Sequence, residues 1–172
     1  LDALNGFPHP TIARVNGTAF GGGVGLVSCC DMAIGNTRAS FCLSEVKIGL
    51  IPATISPYVI NAIGGRAARR YFLSAERFDA NTATELGLLS ECVDDDQLDA
   101  RLEQLVAQLL ANGPCAMRAA KQLVLDYQNC ETNSALIEDS CQRIADIRVS
   151  PEGQEGLTAF LEKRQAAWHS GE

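Results

Sequence analysis

Gly21-Gly22-Gly23 follows a strand-like run, Thr11-Ile12-Ala13-Arg14-Val15, and leads into an apolar helical stretch through Leu26 and Val27. Three glycines at a strand-to-helix junction let main chain approach a ligand closely, and the first turn of the following helix aims N–H groups at it. A negatively charged oxygen suits such a place. One acidic residue, Glu45, comes just past a second strand-like run, Ser40-Phe41-Cys42-Leu43, where its carboxylate can face that oxygen. Together they point to chemistry on a carbonyl compound through an enolate.

Other glycine motifs do not fit. No Gly-Lys-Ser/Thr follows, so this is not a phosphate loop, and Leu26 stands where G-x-G-x-x-G needs its last glycine. Taken alone, the glycines also suit a tight packing turn, and a lone glutamate is most often a surface carboxylate. Apolar Leu43 and Val46 flank Glu45 and favour its partial burial, which suits a general acid/base.

A net charge of −7 argues against a nucleic-acid surface, which needs a clustered basic face. Arg66, Arg69 and Arg70 form the main basic cluster, read as a solvated or subunit-contact helix face. No apolar run approaches the ~20 residues that span a bilayer, so no membrane role is expected. The seven cysteines include no C-x-x-C pair, and with no signal peptide they suggest thiols in a reducing cytoplasm. No pair has metal-ligand spacing, so no metal site is expected.

The spacing predicts a layered α/β core. Strands are expected at 11–15, 31–34, 39–43 and 88–93, with Gly35-Asn36 closing the second of them. Helices are expected from Gly22 or Gly23 to Cys29, over 58–63 up to Gly64-Gly65, over 67–73, and over 80–86 behind an Asp79 cap. After Asp94-Asp95-Asp96 the period becomes helical, and Leu98, Leu102, Leu105, Val106 and Leu109 form what should be one buried face. Helices at 115–127 and 133–148, then one opened by Pro151, complete the chain. Residues 1–94 thus form the chemical α/β part and 95–172 a helical part.

These motifs resemble the crotonase (enoyl-CoA hydratase/isomerase) superfamily. The matching stretches are 11–17, Ala19 to Gly23 with Asp31, Glu45 to Pro52, Phe78 to Leu88, and Ala159 to Arg164, in family order over nearly the whole chain. The resemblance implies a crotonase-like (ββα) spiral core, its C-terminal majority only, followed by helices used for oligomerisation and CoA contact. It implies that a family segment preceding Thr11, which supplies a second oxyanion donor and part of the CoA site, is missing here. Val24-Gly25-Leu26 with Cys29-Cys30-Asp31, and Ile51-Pro52-Ala53-Thr54-Ile55-Ser56-Pro57-Tyr58, look most like bacterial methylglutaconyl-CoA and isohexenylglutaconyl-CoA hydratases.

By resemblance, Gly22 supplies an oxyanion-hole N–H to a thioester oxygen and Glu45 transfers the proton. Gly25 stands where two-carboxylate hydratases of the family carry a second glutamate. Phe160 and Lys163, three apart and so on one helix face, match the adenine-stacking ring and 3′-phosphate contact of CoA, possibly of a neighbouring subunit; Arg164 is a further candidate cation. The resemblance implies no separate cofactor, with coenzyme A part of the substrate, and a homotrimer or dimer of trimers. The expected activity is hydration of an enoyl-CoA, most readily a glutaconyl-type one. A Δ3,Δ2-enoyl-CoA isomerase using one glutamate, and a non-catalytic acyl-CoA-binding or assembly subunit, are the alternatives.

Overall fold

The computed structural model describes residues 1–169. The described residues divide into two compact units, 1–104 and those from 105 on. That division falls inside the first helix after the acidic run.

The first unit is built by a chain that alternates between two small sheets. After a short helix α1 (Asp2–Asn5), strand β1 (Ile12–Val15) enters one sheet and β2 (Thr18–Phe20) the other, and helix α2 (Gly22–Ser28) follows. The next turn repeats the pattern: β3 (Met32–Asn36) pairs parallel with β1, and β4 (Ser40–Cys42) pairs parallel with β2. A 3₁₀ turn (Glu45–Ile48) and helix α3 (Ser56–Ser74) close this repeat. Strand β5 (Phe78–Asp79) then joins β4 antiparallel, helix α4 (Ala80–Glu85) follows, and β6 (Glu91–Val93) joins β3. The result is a ββα spiral with sheet orders β1-β3-β6 and β2-β4-β5.

Local sequence explains most of the boundaries. Asp79 accepts a hydrogen bond from the Thr82 N–H at 2.8 Å and caps α4. The expected helix end at Gly64 is present: Gly64 has φ 75° and ψ 154°, which is not helical, so α3 is two helical segments that meet there at a kink. Gly35-Asn36 closes the strand as expected, but nothing in the sequence marked how deeply Asn36 is buried. It is the last residue of β3, fully buried, and its Nδ2 donates to the Asp95 carboxylate, which Arg38 also reaches at 2.6 Å. A charged acceptor compensates the burial of the amide nitrogen, while Asn36 Oδ1 is buried without a hydrogen-bond partner. Sequence analysis also missed β2 and β5, which have three and two residues.

The core between the sheets and helices is apolar. Phe41, Leu43, Val24, Val59 and Ala83 are fully buried, and Phe78 packs between Phe41 and Tyr71 with ring centroids 5.5 and 4.3 Å away. Arg66, Arg69 and Arg70 lie exposed on the second half of α3, and Arg70 pairs with Glu76 at 2.5 Å.

Helix α5 (Leu98–Leu110) corrects the expectation of one buried face. Leu98 is buried, Leu102, Leu105 and Leu109 are half-buried, and Val106 is exposed. Periodicity identifies the apolar side of a helix but not how much of it is covered. The second unit continues with α6 (Pro114–Tyr127), α7 (Ser134–Val149) and α8 (Pro151–Glu162). Prolines at the first turn open α6 and α8, while Asn133 and Ser150 cap α7 and α8 through bonds to Leu136 and Gly153. Glu152 ties α8 to α6 by accepting from the N–H groups of Cys115 and Ala116 at 2.9 and 2.7 Å. Among the described residues, no helix is long and apolar enough to cross a membrane.

Candidate active site

β2 and β4 bring the glycine turn to Glu45. Phe20 stands opposite Cys42, and the Gly21 N–H donates to the Cys42 carbonyl at 2.9 Å. The chain then turns at Gly21, with φ 46° and ψ −114°, a conformation that side chains strongly disfavour. The Gly21 carbonyl accepts from Val24 and Gly25 at 2.9 and 3.2 Å, which starts α2. Gly22 is its first residue, exposed, with open space where a Cβ would stand. An N–H at that position precedes every intrahelical acceptor, so it is available to a ligand oxygen.

Glu45 opens the 3₁₀ turn directly after Ser44, and the Leu50 N–H donates to its carbonyl at 3.1 Å. Its side chain is half-buried and lies against the glycine turn: a Cβ on Gly21 would be 2.8 Å from Glu45 Oε1. Glu45 Oε2 is buried and has no hydrogen-bond partner. A buried acceptor without a partner costs roughly 1–3 kcal/mol, and such groups ask for a functional explanation. A carboxylate kept ready to take or give a proton is one. The sequence pointed to both Gly22 and Glu45; it gave no sign of the close fit at Gly21.

Gly25 lies one turn further along α2 and is buried. A Cβ there would come within 2.3 Å of Ile55 Cγ2 and 2.8 Å of Ile55 Cβ. The position is therefore no vacancy left by an absent glutamate, because Ile55 fills it. Ile55 itself is buried and sits at the N-terminal cap of α3. The sequence offered no signal for this partnership, since the two residues belong to different elements.

Phe160 and Lys163 lie in the second unit. Phe160 is 80% exposed near the end of α8. Lys163 does not continue the helix face: it is the left-handed cap at φ 54°, so the three-residue spacing no longer places it above Phe160. Arg164 is already engaged. It forms a bidentate pair with Glu155 at 2.6 and 2.9 Å and reaches Glu162 at 2.7 Å, which corrects its reading as a spare cation for CoA.

That pair carries a pH prediction. The Arg164 guanidinium, with help from the Ala167 N–H, holds the Glu155 carboxyl down to about 2 from an ordinary 4.5. A depressed carboxyl contributes stability that is complete above its unfolded value and is lost as pH falls through its folded one. The parent should therefore lose more stability than Glu155→Gln between about pH 5 and about pH 2. Urea midpoints across that window check it; identical slopes for the two proteins would contradict it.

A protein-family model described as enoyl-CoA hydratase/isomerase matches residues 1–171. The chain belongs to that family. An enoyl-CoA hydratase from Shewanella pealeana has the same fold, with 51% identity and a TM-score of 0.92, over 97% of this chain and 62% of that one. The 2,3-dehydroadipyl-CoA hydratase of Escherichia coli is 32% identical over 94% of this chain and 63% of its own length. The enoyl-CoA hydratase AKT6-1 of Alternaria alternata is 33% identical over 99% of this chain. The chain spans only 57% of that relative's length. The TM-score of 0.92 agrees with the spiral ββα architecture of the first unit.

Proposed function

We propose that the protein is a hydratase-type lyase that adds water to an α,β-unsaturated acyl-CoA, with a glutaconyl-type acyl group as substrate. The observation that carries this is the half-buried Glu45 carboxylate, its Oε2 buried and without a partner, packed against the Gly21 turn one residue before the Gly22 N–H.

The chemistry follows from those groups. The Gly22 N–H donates to the thioester oxygen, where negative charge grows as the double bond is attacked. Glu45 accepts a proton from water while the water oxygen bonds to Cβ, and the π electrons move through Cα onto the thioester oxygen. The protonated Glu45 then returns a proton to Cα as the enolate collapses. One positioned N–H donor of this kind is worth ~10²–10³ in rate, because it acts on charge present only in the transition state. The thioester and its donors stabilise the enolate, so the steps at Gly22 and Glu45 call on no separate cofactor.

A substrate with its own carboxylate fits a site that has one glutamate instead of two, since like charges in a desolvated pocket repel. The relative named 2,3-dehydroadipyl-CoA hydratase acts on an acyl-CoA of that kind by its name. Double-bond migration is the second reading, favoured by the single carboxylate: one glutamate can move a proton between two carbons without water. A panel of crotonyl-CoA, 3-methylglutaconyl-CoA and a 3-enoyl-CoA separates these in the whole protein. Water addition fastest on the glutaconyl substrate supports the proposal. Migration without water selects the isomerase, and binding without either selects an acyl-CoA-binding subunit.

The same reading assigns Phe160 and Lys163 to CoA, and the helices of the second unit to a trimeric assembly. Val124, Ile144, Leu157 and Leu161 are exposed there, apolar surface that a subunit contact would cover. Sedimentation of the whole protein as a monomer would remove the assembly. For Lys163→Ala, we expect weaker binding of CoA but not of dephospho-CoA, because only CoA carries the 3′-phosphate. A charge-assisted contact is worth about 1.5–3 kcal/mol, or roughly ten- to hundredfold in Kd, within reach of titration calorimetry. Equal losses for both ligands would return Lys163 to the solvated surface.

A further inference from the structure

Two side chains fit against glycines four residues apart at the start of α2: Glu45 against Gly21, its N-cap, and Ile55 against Gly25, inside it. Four residues of helix rise about 6 Å, which sets the two glycines about one turn apart. The Ile55 contact is of a particular kind. The would-be Cβ at Gly25 meets the branched Cβ and Cγ2 of Ile55, which are fixed to the α3 backbone and cannot swing aside as the end of a long side chain would. Gly25 and Ile55 are both buried, and the helical backbone at Gly25 would otherwise accept any residue.

We propose that Ile55 is a specificity-determining residue: by filling the space over Gly25 it keeps this a one-carboxylate site, with hydrocarbon where a second acid or base would stand. The inference rests on the functional reading of Glu45, and deepens it. A wall of this kind leaves proton transfer to Glu45 alone and holds no water on its side. It also offers a substrate carboxylate no partner, so an acidic acyl group has to be recognised elsewhere. Position 25 is thus set by position 55, and the two are exchangeable only together.

The test is a double-mutant cycle in the whole protein with Gly25→Glu, Ile55→Gly and the double variant. Gly25→Glu alone should lower the melting temperature by about 5 °C or more, since overpacking a buried site costs ~1–3 kcal/mol. Adding Ile55→Gly should bring the double variant back to the stability of Ile55→Gly. The double variant should also hydrate crotonyl-CoA ten- to hundredfold faster than Ile55→Gly, at the low end of general acid/base effects, and show one more ionisation in its pH–rate profile. The proposal is overturned by a Gly25→Glu protein as stable as the parent, by a cycle without coupling, or by a restored double variant with unchanged rate and pH profile. Glu45→Gln in the parent is measured alongside. If that variant keeps full activity, the functional reading has failed, while the stability arm of the cycle still judges the pairing of positions 25 and 55.

Discussion

Glu45→Gln is expected to lower enoyl-CoA turnover by ~10²–10⁴ while leaving CoA affinity within a few-fold of the parent, the usual worth of a positioned acid/base. The amide has nearly the shape of the carboxylate, so its fit against Gly21 should survive, but it can neither accept the proton from water nor return it to Cα. Glu45 Oε2 has no hydrogen-bond partner in the fold, so the exchange breaks no structural bond at that atom. The melting temperature should therefore stay near the parent's or rise slightly, because a partly buried charge is replaced by a neutral group. Steady-state kinetics, calorimetry with a non-reacting acyl-CoA, and thermal unfolding together check this. A loss of less than threefold in kcat would remove Glu45 from the chemistry.

The second large effect is expected at Gly21. Gly21→Ala places a methyl 2.8 Å from Glu45 Oε1 and holds a non-glycine residue at φ 46° and ψ −114°. The backbone strain alone costs about 1–3 kcal/mol. The carboxylate must also move away from the turn, and a displacement near 1 Å from productive geometry costs on the order of 10² in rate. Both stability and kcat should fall, with binding of the CoA portion kept. Gly22→Ala is the contrast for folding: its Cβ meets nothing within 4 Å, so its stability should match the parent's or exceed it by up to about 1 kcal/mol. Urea denaturation separates the two; a Gly21→Ala protein as stable as Gly22→Ala would show that the turn relaxes without cost.

Much of the scaffold was legible because it is local. The Asp79 cap, the prolines opening α6 and α8, and the Gly-rich start of α2 are written in adjacent residues, and the structure has each of them. The strands β2 and β5 escaped because two or three residues between glycines and a cap hold no measurable alternation. Gly35-Asn36 closes β3 as expected, but the burial of Asn36 was not legible, for a related reason. Gly-Asn usually marks a turn, and only the distant Asp95 makes it worth burying that amide. Residue type singled out Gly22 and Glu45 as candidates, whereas the fit of Ile55 against Gly25 depends on how α2 meets α3. Arg164 shows the same limit, since its two carboxylate partners decide whether its charge is available.

The pairing of β2 with β4 has a consequence for how this chain can change. Thr18 and Phe20 are exposed, so their identity is open to substitution. Their number is not. The glycine turn leaves one strand and Glu45 follows the other, and the β2–β4 register, ending at Phe20 opposite Cys42, sets how far apart they emerge. Losing or gaining one residue in either strand would shift one group past the other by about 3.3 Å and turn its side chains to the opposite face. Between Thr18 and Glu45, libraries built by substitution should therefore yield active proteins far more often than libraries built by insertion or deletion.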